Sequence, residues 1–430
     1  MRSVPITAST TSVEESSTAS ASYWDFGDRT GTREDPIHRI HSYPAKFPAF
    51  ITSKALEHAE RHDVEVKVVA DVFCGCGTTA VEAKRNGKNF WGCDINPVAT
   101  LIARAKTRHY RDSVLLRYFE SIKECFGKAE PSTEDRARIS DRIRYWFEER
   151  NIDDLIRLDH AIRCQTPVNS SYRTFFRCGF SNILKPTSRW LTKSIKAQLD
   201  PDKTPRGVME AFDDQFTLMR NAFAENPFPA HGQNVRIRTR DFLASKKPSC
   251  FVDLIVTSPP YVTSYNYADI HQLSTLWLRC ASDYRALRRN MLGNQYGVDP
   301  PSQTDIERLG GIPAETYRGL LRECRSKAHS VARYFLDMDK AVAKCWRMLN
   351  KGGMAVFVIG NTEYKGIRID NSAHLAECMD RAGFRSIDSV RRKVSLKIMT
   401  PYRDARGRFT RDSTQRKVYG EEFVVVGRRL

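Results

Sequence analysis

The stretch that most limits how this chain can fold is Val66-Lys67-Val68-Val69-Ala70-Asp71-Val72-Phe73, followed at once by Cys74-Gly75-Cys76-Gly77-Thr78-Thr79. Its first eight residues are β-branched and apolar enough for a buried strand. Gly75 and Gly77 then supply a turn that residues with a Cβ make poorly. Thr78-Thr79-Ala80-Val81-Glu82-Ala83 opens a helix, Asn86-Gly87 ends it, and Phe90-Trp91-Gly92-Cys93-Asp94 reads as a second strand. Strand, glycine turn, helix and strand in that order imply a parallel pair joined by a right-handed crossover.

The rest of the chain keeps to this plan. Pro48 to about Arg61 has helical spacing at Phe50, Ile51 and Leu56. Val235-Arg236-Ile237-Arg238 and Val252 to Val256 read as strands. Phe335, Met338, Val342, Trp346 and Leu349 mark an amphipathic helix, which Lys351-Gly352-Gly353 is expected to stop. Met354 to Ile359 then reads as a fully buried strand, and Phe423 to Val426 as a closing one. The expected fold is α/β, a doubly wound and mostly parallel sheet with a helical insertion. Residues 1–22 are Ser/Thr/Ala-rich and predict a disordered tail. Residues 23–105 form one half of the α/β domain and 231–430 the other. Between them, 106–230 is helical and basic, with Trp146, Phe147, Ile152, Leu155, Ile156 and Leu158 on core-facing stripes.

Charge points to the class of partner. The 430 residues carry 69 Lys+Arg against 51 Asp+Glu, a formal net charge of +18. Such a surplus predicts a polyanionic partner, nucleic acid before membrane. The 11 cysteines are odd in number and include no CxxC pair, so reduced thiols in a cytosolic protein are expected. No apolar run reaches the ~20 residues of a membrane span. The N-terminus has no hydrophobic signal core, and Glu14-Glu15 argue against a transit peptide. The expected location is cytoplasmic, with the nucleic acid that the charge predicts.

The strand ends carry the chemistry. Asp71, Phe73, Gly75, Gly77, Thr78 and Thr79 form an FxGxG turn that brings backbone close to a ligand. It lacks the GxGxxG spacing of dinucleotide binders and has no Walker lysine. Asp94 follows the next strand, about 20 residues on, where a carboxylate can take both ribose hydroxyls. Asp241 with Phe242 ends a later strand, where an acid can accept from an adenine amino group. An adenosyl ligand without a pyrophosphate fits this set. At the fourth strand end lies Ser258-Pro259-Pro260-Tyr261. The exocyclic amine of a base is a poor nucleophile because its lone pair is delocalised into the ring. Hydrogen bonds from that amine to the Ser258 oxygen and the Pro259 carbonyl favour rehybridisation, and the double proline fixes the carbonyl direction. Tyr261 is placed to stack on the base, worth roughly 1–3 kcal/mol, against the few kcal/mol needed to extract it from a duplex.

In these motifs the sequence resembles the amino-group DNA methyltransferases, specifically the SPPY cytosine-N4 group. Asp71 to Gly77 matches their S-adenosylmethionine loop, Gly92-Cys93-Asp94-Ile95-Asn96-Pro97 their ribose-binding segment, and Thr257 to Tyr261 their catalytic tetrapeptide with its preceding Thr. His41-Ser42-Tyr43-Pro44-Ala45-Lys46-Phe47-Pro48 resembles the segment that closes over the methionine end of the cofactor, which implies roles for Lys46 and Pro48. Gly353 to Asn361 resembles their fifth strand. The resemblance implies a class I S-adenosylmethionine-dependent, Rossmann-like methyltransferase acting on double-stranded DNA, with a cognate restriction endonuclease as a further partner. Cys76 stands where the family often has Ser.

Several readings stay open. Cytosine-C5 chemistry needs a cysteine nucleophile, usually in Pro-Cys, and the chain contains no such dipeptide. Adenine-N6 methylation uses the same amine logic, usually with Asp or Asn at the position of Ser258. RNA or protein methylation, and a non-catalytic basic nucleic-acid binder on this scaffold, are weaker rivals. The target-recognition region is either 106–230 or 262–334, the latter with Arg285, Arg288 and Arg289 beside Tyr284 and Tyr296. A third DNA-contacting candidate lies at 400–418, with Arg403, Arg406 and Arg408.

Overall fold

The computed structural model describes residues 23–24, 34–44, 46, 48–225, 228–229, 232–245, 252–262, 266–292, 299–393, 402–403, 409–410, 412, 414–417 and 421–430. The expected disordered tail at 1–22 lies outside them. One seven-stranded sheet organises the molecule: β1 Val68–Asp71, β2 Asn89–Asp94, β3 Val235–Thr239, β4 Val252–Thr257, β5 Leu349–Ile359, β6 Arg385–Lys393 and β7 Glu421–Arg428. Their spatial order is β3-β2-β1-β4-β5-β7-β6. The first five strands are mutually parallel, and β7 runs antiparallel to both β5 and β6. The sheet is therefore α/β, doubly wound and mostly parallel. The order reverses between β1 and β4, the topological switch point where sheets of this kind bind ligands.

Alternation along the central strands explains why both faces are covered. Leu254 and Val256, with Met354, Val356 and Val358, face one apolar cluster. Ile255, with Ala355, Phe357 and Ile359, faces another. The first face is covered by the helix Phe50–Arg61 (α1) through Ile51, Ala55, Leu56 and Ala59. The crossover from β1 to β2, helix Thr78–Arg85 (α2), joins it there through Ala80 and Ala83. The second face is covered by a long helix, Arg325–Met348, whose Val331, Phe335, Met338, Val342 and Cys345 repeat at helical spacing. Each large apolar side chain of this kind, fully removed from water, contributes roughly 1.5–3 kcal/mol.

One boundary differs from the sequence reading. The long helix ends at Met348, before Lys351-Gly352-Gly353, and Leu349 already belongs to β5. Leu349 pairs with Val252 and Met354 with Leu254, so the glycines form a bulge inside the strand. Gly352 has φ +84°, and a Cβ on Gly353 would lie 2.9 Å from the carbonyls of Asn350 and Asp253. The glycines allow a close strand approach here; they are not the signal that stops the helix. The first strand is also shorter than its apolar run, because Val72 and Phe73 already turn out of the sheet.

Between β2 and β3 the chain builds a helical layer: Pro97–Thr107 (α3), Asp112–Lys128, Glu149–Gln165, Ser171–Ile183 and Val208–Ala224 are its main helices. They share an aromatic-rich core in which Phe119 stacks on Phe216 with ring centroids 3.8 Å apart, and Trp146 on Trp190 at 5.0 Å. This layer also grips the segment ahead of α1. His41 Nε2 and Ser181 Oγ lie 2.9 Å apart, the Ser42 amide donates to Asn182 Oδ1, and Gln215 Nε2 donates to the Ile40 carbonyl.

Candidate active site

β1 and β4 are neighbours, with Val69 opposite Leu254 and Ala70 opposite Ile255. Their C-terminal ends therefore deliver the Gly75–Gly77 turn and the Ser258–Tyr261 corner side by side. Asp71 ties the two together. Its Oδ1 accepts from the Thr257 hydroxyl at 2.6 Å and from the Phe73 amide at 3.1 Å, and its Oδ2 accepts from the Thr79 hydroxyl at 2.9 Å. Burial pushes the Asp71 carboxyl up to about 6, against the three hydrogen bonds that favour its ionised form. Thr79 also reaches the Val256 carbonyl. Asp71 is thus a clasp between two strand ends, with both oxygens engaged inside the protein.

The glycine turn is built for close approach. Gly75 has φ +45° and Gly77 φ +80°, and Gly77 N-caps α2. A Cβ on Gly77 would sit 2.7 Å from Ala103 Cβ on α3. Asp94, at the end of β2, accepts from the Gly75 amide at 2.9 Å through Oδ2 and from the Asn96 amide at 2.8 Å through Oδ1. Burial raises its pKa, and the backbone amides oppose that shift. Asn96 caps α3 through Oδ1, while its Nδ2 is buried with no partner among the described residues. That orphaned donor beside an acid is what a hydroxyl-bearing ligand such as a ribose would satisfy.

The third acid lies next along the edge. The Arg240 amide donates to the Asp94 carbonyl, and Asp241 follows, its Oδ1 accepting from the Leu243 amide at 2.8 Å. Phe242 is buried and meets Phe73 edge-on at 6.1 Å. Lys344 Nζ fixes this loop by donating to the carbonyls of Phe242, Leu243 and Ser245. Phe73, Asp94, Asn96, Asp241 and Phe242 thus lie along the neighbouring ends of β1, β2 and β3. Thr78 is buried at the start of α2. Lys46 points elsewhere: its Nζ donates to the His38 carbonyl and pairs with Glu34. Pro48 accepts from the Ile51 amide at the start of α1.

Two features at the cleft were not singled out from sequence. Tyr43 lies over the glycine turn, its ring 3.6 Å from where a Gly75 Cβ would stand. It stacks on His271 at 5.1 Å and on Tyr267 at 6.1 Å. Tyr267 and His271 come from the short helices just after the SPPY corner, so the ring stack joins the two halves of the cleft. On the other side, Tyr261 Oη donates to Glu422 on β7, and Glu422 pairs with Arg392 on β6. Tyr43 stood within a quoted motif; Glu422 and Arg392 had no local signal, being far from Tyr261 in sequence.

Three of the expected DNA-contacting residues lie on one short turn. Arg285 and Arg288 sit on the 3-10 helix Tyr284–Arg288, with Arg289 as its C-cap. Arg285 pairs with Asp283, Arg288 is held by Asp269, and Arg289 is exposed. Arg403 belongs to a short strand, Tyr402–Arg403, which pairs with Phe409–Thr410 and Arg416–Lys417. Arg406 and Arg408 lie outside the described residues.

A sheet of this order, with a glycine turn after β1, a carboxylate after β2 and buried aromatic rings beside them, defines the S-adenosylmethionine-dependent methyltransferase class, and S-adenosylmethionine is its methyl donor. The family model described as DNA methylase, of the N6/N4 methyltransferases, matches residues 6–104. The type II methyltransferase M.MvaI of Kocuria varians is 25% identical over 397 residues, 86% of each chain. M.AvaI of Nostoc sp. is 22% identical over 82% of this chain and 80% of its own length. M.MjaII of Methanocaldococcus jannaschii is 36% identical over 78 residues, 18% of this chain and 14% of its own. These matches support an amino-group DNA methyltransferase family for this chain.

Proposed function

We propose that this protein is a site-specific type II DNA methyltransferase that methylates the exocyclic N4 amine of a cytosine turned out of duplex DNA. The observation that carries the reading is the junction of β1 and β4. The pairing of these strands, and Asp71 bonded to Thr257 at the end of β4 and to Thr79 at the start of α2, support bringing the neutral hydroxyl of Ser258 and the Pro259 carbonyl to the glycine turn.

When bound, S-adenosylmethionine supplies an electrophilic methyl group on a sulfonium sulfur. In this reading Gly75 and Gly77 admit its backbone contacts, and Asp94 with the free Asn96 Nδ2 takes the ribose hydroxyls. Asp241 accepts from the adenine amine between Phe73 and Phe242. The segment at 41–48, Tyr43 and Pro48 included, closes the methionine end. Lys46 acts indirectly, by holding that segment to the His38 carbonyl. Thr78 and Thr79 hold the start of α2 against the turn. On the base side Ser258 Oγ and the Pro259 carbonyl accept the two amine hydrogens, which draws the nitrogen toward a tetrahedral lone pair. Pro260 fixes the corner, and Tyr261 lies against the base.

The DNA footprint follows from charge and topology. β6 ends and β7 begins at the same edge as the SPPY corner, since Glu421 pairs with Lys393 and Phe423 with Ile359. In this reading the segment between them supplies DNA contacts through Arg403, and through Arg406 and Arg408, which lie outside the described residues. In this reading Arg285 and Arg289 add further phosphate contacts, while Arg288 supports their helix through Asp269. The relatives named above are type II methyltransferases, so we extend to this chain a partner endonuclease that reads the same sequence.

The test is transfer of labelled methyl from S-adenosylmethionine to unmodified duplex DNA, followed by digestion to nucleosides. N4-methylcytosine is the expected product. N6-methyladenine alone would reassign the target base, and absence of transfer would leave a DNA-binding protein on this scaffold. Sequencing DNA from an unmodified host that expresses the protein then gives the recognition sequence.

A further inference from the structure

The chemistry above leaves a proton to be removed. When the amine nitrogen bonds to the methyl carbon, the carbon–sulfur bond breaks and its electron pair goes to sulfur. The nitrogen is left positively charged with one proton too many. At the corner, Ser258 stands three residues before Tyr261 and favours the Tyr261 phenolate, against the larger opposing effects of burial and of Glu422. Tyr261 Oη in turn donates to Glu422 Oε1 at 3.3 Å. That bond leads from the SPPY corner to a carboxylate on β7.

That carboxylate has an unusual setting. Glu422 is 8% exposed and Arg392 1% exposed, and Arg392 Nη2 meets Glu422 Oε2 at 2.6 Å. Among the described residues, Arg392 Nε and Nη1 have no partner. A buried guanidinium with a single carboxylate is an expensive arrangement, and apolar packing of the same volume is often as stable. The guanidinium also lies over the Phe50 ring at 5.6 Å, and its carboxylate partner is the group that the tyrosine meets.

We propose that Ser258, Tyr261 and Glu422 form the exit path for the proton released by methyl transfer, with Arg392 as the positioning residue for Glu422. The base nitrogen passes its proton to Ser258 Oγ, Ser258 passes its own to Tyr261 Oη, and Tyr261 passes its own to Glu422. Both hydroxyls are restored, and the net change is one proton moved from the base to the Glu422 carboxylate. This inference rests on the amine-methylation reading and applies to either base that carries such an amine.

The test uses the full-length protein and a duplex bearing its target sequence. Tyr261→Phe keeps the ring, the base contact and the ion pair, and removes only the hydroxyl. The expected result is a single-turnover methylation rate lower by about 100-fold. With 2-aminopurine at the target position and no methyl donor present, the fluorescence gain on binding should match that of the wild type. Glu422→Gln combined with Arg392→Met, which removes the acceptor without stranding a buried charge, should slow methylation to a similar degree. Adding Tyr261→Phe to that pair should cost little more, because a chain of groups acting as one unit is broken only once. Rates within about twofold of wild type, in Tyr261→Phe or in the Glu422→Gln/Arg392→Met pair, would overturn the path, since proton transfer by positioned groups is worth far more. So would a lost 2-aminopurine signal in Tyr261→Phe, which would make the hydroxyl a positioning group. Failure of the wild type itself to methylate an amine would instead reject the function on which the path rests.

Discussion

The two flanks of the cleft handle their polar groups in opposite ways. On the β1–β2 flank, Asp71 and Asp94 are each bonded through both oxygens to groups of the chain. On the β6–β7 flank, Arg392 is buried with two donor atoms unmatched, among the described residues, and its carboxylate partner reaches the tyrosine of the SPPY corner. The first flank is preorganised: its geometry is over-determined by glycines, helix starts and short hydrogen bonds. The second holds charge in a place where stability alone gives no reason for it. Rigid hydrogen bonding belongs where a ligand must be gripped, and a buried ion pair with spare donors beside a tyrosine belongs where bonds and protons move.

This contrast can be broken or sharpened by experiment. The largest effect is expected for Gly77→Ala, which forces a left-handed residue and a 2.7 Å contact with Ala103. A loss of about 3–5 kcal/mol in unfolding free energy should follow; a melting curve like that of the wild type would show that the glycine turn is not rigid. Next comes the pH response of Asp71. Its carboxyl is raised from 3.8 to about 6 on folding, so it favours the folded state in acid. That contribution, about 3 kcal/mol, is complete below pH 4 and is lost as pH rises through about 6. Denaturant titrations of Asp71→Asn across this range should lack that part of the pH dependence.

Tyr261→Ala probes the other flank. Losing the ring as well as the hydroxyl should reduce kcat/KM by roughly 1–3 kcal/mol of base–aromatic contact beyond the loss in Tyr261→Phe, while calorimetry shows cofactor affinity unchanged. Weakened cofactor binding would mean that the ring serves the first flank as well. The smallest effect is expected for Arg285→Ala. Its pair with Asp283 is largely exposed, so thermal stability should not move. The slope of log affinity for DNA against log salt should fall by about 1 if the guanidinium meets a phosphate.

Much of the architecture was legible because local chemistry and global fold agree. The run from Val66 to Asp94 declares a crossover through its apolar stretches and paired glycines, and those residues form β1, α2 and β2. The boundary at Lys351-Gly352-Gly353 misled because glycine marks both helix ends and strand bulges. Only the pairing with β4 distinguishes them. Asp71 is similar: its spacing marked it as a site residue, but its engagement with Thr257 and Thr79 required strands far apart in the chain to meet.

What the sequence determined by itself is the set of strand-end groups: glycines where no Cβ fits, acids after strands, and two prolines where a ladder must stop. These are local properties, fixed by covalent geometry and hydrogen-bonding capacity within a few residues. What only the tertiary structure decided is which of them meet. Tyr43 reaches the glycine turn because the helical layer holds its segment, and Glu422 reaches Tyr261 because β7 runs antiparallel beside β5. Such contacts arise from strand order and direction, which no short window of sequence encodes.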